Sequence, residues 1–152
     1  MTKNKKIIIS FLSVISVAII GSVFVNLGTD WFNQLNKPSQ WISNAIIPVM
    51  WTIIYTITAL ILYKWFKNDD MPKTTIWLFI LNGILNVLWC LIFFTLQLTF
   101  AGNIIIILNL IAGLLLWISV NKQKKLYSYF LSIYPIWLSL ATSLNLALWI
   151  LN

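Results

Sequence analysis

Five apolar stretches, at about 7–27, 45–66, 74–96, 100–120 and 126–151, divide this chain, and the charged residues fall between them or, like Lys64, at an end. Each is close to the roughly 20 residues a helix needs to cross a hydrocarbon core of about 30 Å. Inside that core there is no water to take an unpaired N–H or C=O, so a spanning segment must satisfy its own backbone, which a helix does. With 61% hydrophobic and 9% charged residues, and a mean hydropathy of +0.92, the chain lies far from soluble domains, where about a quarter of residues are charged. The expected fold is an all-α integral membrane protein, a bundle of five transmembrane helices forming a single domain over 1–152.

The connections set an orientation. The net charge of +7 comes from ten lysines, with no arginine. Lys3, Lys5 and Lys6 precede the first span, Lys64, Lys67 and Lys73 bracket the second connection, and Lys122, Lys124 and Lys125 fill the fourth; only Lys37 lies on the other side. This asymmetry predicts a cytoplasmic N-terminus and an external C-terminus. It also argues against nucleic acid as a partner, because the charge follows the spans rather than a single basic surface. Lysine without arginine, with abundant Ile and Asn, fits an AT-rich bacterial coding bias, so a bacterial plasma membrane is expected. The lysine flank before Ile7 resembles a signal peptide, but 21 apolar residues exceed the usual apolar region and no cleavage site follows, so a retained helix is expected.

Several chemistries are excluded by residue type. Histidine is absent and Cys90 is the one cysteine, which removes His/Cys zinc sites, His-ligated haem, a His base and an intrachain disulfide. No Asp, Glu, Lys or Arg sits at mid-span, unlike in ion-coupled pumps.

What remains is tryptophan, nine copies. Trp31, Trp41, Trp65, Trp77, Trp117 and Trp149 lie in the first loop or toward span ends and are expected to form an aromatic belt. Trp51, Trp89 and Trp137 lie deeper, where each indole N–H needs a partner. Helical spacing puts Asn82, Asn86, Trp89 and Phe93 on one face of the third span, and Tyr134, Trp137, Ala141, Asn145 and Leu148 on one face of the fifth; Pro48, Trp51, Tyr55 and Thr58 share a face of the second. Singly, the asparagines read best as interhelical hydrogen-bond glue. Together, the three tryptophan-bearing stripes suggest a ligand cavity, since three large rings around one axis pack poorly without something flat between them.

Three smaller expectations follow. Pro135 should kink the fifth span by freeing the Leu131 carbonyl. Ser139, Ser143 and Ala147 form a small-residue ridge, read first as helix packing and second as a dimer seam. The third and fourth spans, joined by a few residues, should be antiparallel neighbours.

Lys37-Pro38-Ser39, Pro48-Val49-Met50-Trp51-Thr52 with Tyr55, Asn86 with Trp89, Cys90, Phe93 and Phe94, and Tyr134, Trp137, Ala141, Thr142 and Asn145 with Trp149 and Asn152 together resemble the tryptophan-rich sensory protein/translocator protein (TspO/MBR) family. The resemblance implies a five-helix membrane protein, often a homodimer, that binds porphyrins and hydrophobic drugs under its first loop. It implies that Trp51 and Trp137 match the two tryptophans associated with porphyrin binding and photochemical degradation, and would be the catalytic pair if degradation occurs. Asn86 and Trp89 would match pocket residues of the third helix. Two departures stand out: Gln40, Trp41, Ile42 and Ser43 replace the family's aromatic and Pro-Pro pair, and Leu146 and Leu151 occupy the region of the cholesterol-recognition motif, so cholesterol is not an expected ligand.

The expected ligand is a metal-free tetrapyrrole of the protoporphyrin IX type, with no cofactor required. Its site would comprise Trp51, Tyr55, Asn86, Trp89, Phe93, Tyr134, Trp137, Ala141 and Asn145, with Lys37 or loop amides meeting a propionate. The alternatives are a small transporter of such molecules and a non-catalytic regulatory membrane partner.

Overall fold

The computed structural model describes residues 2–39, 42–68 and 70–152. Within them the regular elements are helices: α1 (Lys3–Leu27), α2 (Thr29–Gln34), α3 (Ile46–Asn68), α4 (Lys73–Cys90), α5 (Thr99–Gln123), α6 (Lys125–Leu131) and α7 (Ile133–Leu151). α4 runs on through a π-helical turn, Leu91–Thr95. Five helical segments are long and apolar enough to cross a membrane: α1, α3, α4 with its π turn, α5, and α6 with α7. The chain is an all-α integral membrane protein, and the span ends fall within a few residues of those expected.

Proline positions explain two boundaries. Pro48 is the third residue of α3, where its missing N–H removes no intrahelical bond. Pro135 cannot donate to the Leu131 carbonyl, and the fifth span breaks at Ser132 into α6 and α7. The turn between α4 and α5 is tight enough to hold Gln97 at a φ of 58°, and these two helices pack side by side antiparallel, as expected.

Packing order differs from chain order. α1 lies against both α3 and α4, and α5 lies against both α4 and α7, while α6 closes onto α3. Among the described residues, α3 and α4 make no close backbone approach although they are consecutive. α1 meets α4 through glycines. A Cβ at Gly28 would run into the carbonyl of Phe94, and one at Gly21 would lie 3.4 Å from Cys90 Sγ. Thr95 Oγ1 donates to the Phe24 carbonyl at 2.9 Å beside this contact.

The starts of α1 and α4 and the end of α3 gather at one lysine-rich end. Lys6 forms an ion pair with Asp70, and Lys3 Nζ donates to the Lys67 carbonyl at 3.5 Å. The hydrogen bond and charge of Lys6 hold the exposed Asp70 carboxyl below the ordinary aspartate range. A lowered folded-state pKa means the tie is intact above the ordinary range and is lost as pH falls through the lowered value. In detergent, an NMR titration of Asp70 should therefore give a midpoint below that of the same residue in Lys6→Ala; coincident midpoints would show that the pair does not persist in solution.

Two surface expectations need correction. Trp65 does not join an aromatic belt: it is 1% exposed, covered by α6, with its ring 5.8 Å from that of Tyr127. The kink at Ser132 swings α6 over the end of α3, and an indole without that cover would meet headgroups instead. The Ser139–Ser143 ridge does not pack inside the chain, because both residues are exposed and their hydroxyls bond back to the carbonyls of Pro135 and Leu140. Trp77 and Trp149 are exposed near span ends, in keeping with a belt. Trp41, with Gln40 of the altered loop motif, lies outside the described residues.

Candidate ligand cavity

The polar face of α4 is buried at the centre of the bundle. Asn86 Nδ2 donates to Tyr134 Oη at 3.0 Å, and Asn109 Nδ2 donates to Asn86 Oδ1 at 2.7 Å. The Tyr134 hydroxyl lies 3.1 Å from Asn82 Oδ1 and 3.2 Å from Asn109 Oδ1, and its single proton serves one of them at a time. Asn82 Nδ2 also reaches across to the Ala112 carbonyl at 3.2 Å. These bonds join α4, α5 and α7, which is the glue expected of Asn82 and Asn86 taken singly. Asn109 was missed by the sequence reading; an amide side chain at the middle of the fourth span was the available signal.

Beyond this layer, away from the lysines, the three deep tryptophans converge. The Trp51 ring lies 6.2 Å from Trp89 and 5.7 Å from Tyr55, and Trp89 stacks on Phe93 at 6.0 Å. The π turn widens α4 there, so that the successive Phe93 and Phe94 are both buried. The rings largely fill the volume between them. A space of about 30 Å³ is left among Trp51, Trp89, Phe93, Trp137, Ala141 and Asn145, closed by Phe32 of α2 and Ile47 of α3, and this is the scale of one water.

A second space is much larger, about 510 Å³, and lies between α1, α3 and α4 in the lysine-rich half. Tyr55, Asn86 and Tyr134 line it. The residues singled out from sequence therefore divide between two spaces, six on the smaller and three on the larger. Lys37 borders neither. Its Nζ donates to the carbonyls of Phe32 at 3.0 Å and of Asn33 and Leu35 at 3.5 Å, and it sits 4.9 Å from the centre of the Phe32 ring. It thus caps the negative end of α2 and holds Phe32 over the aromatic space.

The indole donors are satisfied unequally. Trp89 Nε1 donates to Asn145 Oδ1 at 3.3 Å, while the Asn145 amide nitrogen is occupied by its own helix at Ala141. Trp137 Nε1 is buried with no hydrogen-bond partner. Asn103 is buried and unpartnered as well, but it lines neither space. Among the described residues there is no group of three or more His, Cys, Asp or Glu side chains able to hold a metal. As it stands, the aromatic site presents ring faces and one unpartnered indole donor around a space the size of a water.

Comparison with known proteins agrees with this architecture. The TspO/MBR family model matches residues 10–150. The tryptophan-rich protein TspO of Archaeoglobus fulgidus is 32% identical over 152 residues, covering 97% of each chain. That of Chlorobaculum tepidum is 30% identical over 158 residues, covering 98% of this chain and 99% of the other. That of Bacillus cereus is 26% identical over 153 residues and the full length of both. With the family match running through all five spans, and relatives aligned nearly end to end, this chain belongs to the TspO/MBR family.

Proposed function

We propose that this protein binds a metal-free tetrapyrrole, of the protoporphyrin IX type, or a comparably flat apolar molecule, against Trp51, Trp89, Phe93 and Trp137. The observation that carries this reading is the buried, unpartnered Nε1 of Trp137, a residue that lines a space with five other aromatic side chains around it. An unsatisfied buried donor costs about 1–3 kcal/mol, and a carbonyl or carboxylate oxygen brought in by a ligand relieves that cost. The aromatic faces supply stacking. With no histidine to ligate iron, a metal-free ring suits the site better than haem.

At about 30 Å³ the space admits such a ring only if its cover moves, and α2 is the movable cover. Lys37 reaches a propionate by releasing the α2 carbonyls, so ligand capture and lid opening would be coupled. The lid is also latched. Asn36 N–H donates to Asn152 Oδ1 at 2.9 Å, and Asn152 Nδ2 donates back to the Asn36 carbonyl at 3.0 Å. Removing two exposed hydrogen bonds in Asn152→Ala should speed both association and dissociation by about fivefold, taking the low end, about 0.5 kcal/mol per bond, for exposed groups, with little change in affinity. Stopped-flow fluorescence reads both rates, and unchanged rates would remove the latch.

The positive-inside pattern supports a cytoplasmic lysine-rich end, which would leave this lid on the opposite side of a plasma membrane. The bound ring would supply light absorption and an oxidisable framework, while the indoles of Trp51 and Trp137 would supply or quench electrons. Transport is less well supported, because passage between the two spaces would have to break the Asn82, Asn86, Asn109 and Tyr134 network. The test of binding is intrinsic tryptophan fluorescence titrated with protoporphyrin IX. Saturable quenching at micromolar ligand is expected, and its absence would overturn the reading. Illumination followed by product analysis separates degradation from binding, and an unchanged absorption spectrum would leave binding alone.

A further inference from the structure

The larger space calls for a different occupant from the aromatic one. It exists because α1, rather than α4, packs along α3. From Gly83 outward α1 is held close to α4: a Cβ at Gly83 would lie 3.2 Å from Val17 Cγ2, and the contacts of Gly21 and Gly28 follow. Toward the lysines the lining residues Ile9 and Ile80 are 50% and 44% exposed. The cavity therefore opens sideways into the hydrocarbon of the adjoining leaflet.

Its walls are mainly aliphatic, with Val14, Ile54, Leu62 and Val87 among them. Of its polar groups, Ser10 Oγ donates to the Lys6 carbonyl, and Asn82, Asn86 and Tyr134 bond to one another; the hydroxyls of Ser13, Tyr55 and Thr58 also line it. No fully buried polar side-chain atom of this lining is left without a partner, in contrast to Trp137 Nε1. At about 510 Å³ the volume is that of a ligand site, within about 300–1,000 Å³, and suits a flexible aliphatic chain.

The mouth carries the complementary charge. Ile9 lies one turn from Lys5, and Ile76 one turn from Lys73. Lys5, Lys64 and Lys73 are exposed and make no ion pair among the described residues. We propose that this cavity holds one acyl chain of an anionic phospholipid from the adjoining leaflet, with the phosphate headgroup against Lys5 and Lys73. The assignment uses none of the tryptophans and stands or falls apart from tetrapyrrole binding.

The test is photolabelling of the full-length protein in phosphatidylethanolamine vesicles carrying phosphatidylglycerol with a diazirine on its acyl chain, with adducts mapped by peptide mass spectrometry. Adducts should concentrate on the inner faces of residues 9–17 and 76–87, several-fold above those on the lipid-facing Ile104 and Ile111 of α5. Thr58→Phe, which fills the cavity from α3, and separately Ile80→Trp should cut the cavity adducts several-fold and leave the α5 adducts unchanged. Lys5→Gln with Lys73→Gln should lower them to the level given by a diazirine phosphatidylcholine. Equal labelling of cavity and α5 in the wild-type protein would mean annular lipid only and overturn the proposal. So would equal labelling by the two headgroups, or a tightly retained non-lipid molecule that blocks labelling.

Discussion

Trp137→Phe is expected to weaken protoporphyrin IX binding about tenfold while making the protein itself more stable. The phenyl ring keeps most of the stacking surface, so the loss in affinity is that of one hydrogen bond, about 1.4 kcal/mol for each factor of ten and within the range of about 0.5–1.5 kcal/mol for a net bond. In the protein alone the Nε1 donor is buried without a partner, and losing it with the five-membered ring removes a cost of about 1–3 kcal/mol, which outweighs the roughly 1 kcal/mol lost with the smaller ring volume. Opposite signs in the two measurements are the signature. Trp89→Phe is the contrast, because its donor is already engaged by Asn145 at 3.3 Å, so that variant should lose stability. Fluorescence titration gives the affinities and thermal unfolding in detergent gives the stabilities. A stabilised Trp137→Phe with wild-type affinity would mean that the indole donor does not face the ligand.

Gly28→Ala is expected to be the most damaging single methyl in the chain. Its Cβ would collide with the carbonyl of Phe94, a backbone atom in the π turn that cannot rotate aside, so α1 must move off α4. Overpacking of this kind costs about 1–3 kcal/mol, occasionally more. The Phe24 to Thr95 hydrogen bond next to it would stretch as well. Gly21→Ala serves as the comparison. Its Cβ would meet Cys90 Sγ at 3.4 Å, an ordinary contact, and alanine favours a helix over glycine by about 1 kcal/mol. Thermal or denaturant midpoints should therefore fall for Gly28→Ala and hold or rise for Gly21→Ala. Equal midpoints would show that the α1 to α4 contact yields more easily than its geometry indicates.

The aromatic residues show how far a single chain can be read. Residues at helical spacing share a face, and each of Trp51, Trp89 and Trp137 indeed turns from lipid toward the bundle. Which neighbour a face meets is not written in that spacing. Tyr55 and Trp51 belong to one stripe yet border different spaces, as do Asn86 and Trp89. The same limit applies to Trp65, which by position should meet headgroups and is instead covered by α6.

The amino-acid sequence alone determined the five spans, the break before Pro135, the antiparallel pairing of α4 with α5 and the family. Each of these follows from local requirements: the thickness of hydrocarbon, the cost of a charge or an open backbone within it, the geometry of proline, and the reach of a short turn. Only the tertiary structure decided that α1 packs between α3 and α4, that Asn109 completes the polar layer, and that the tryptophans enclose a small space while a larger one opens among aliphatic residues. Those outcomes depend on which helix faces meet, and with lipid as apolar as the side chains, that choice rests on close packing and a few buried hydrogen bonds between residues far apart in the chain.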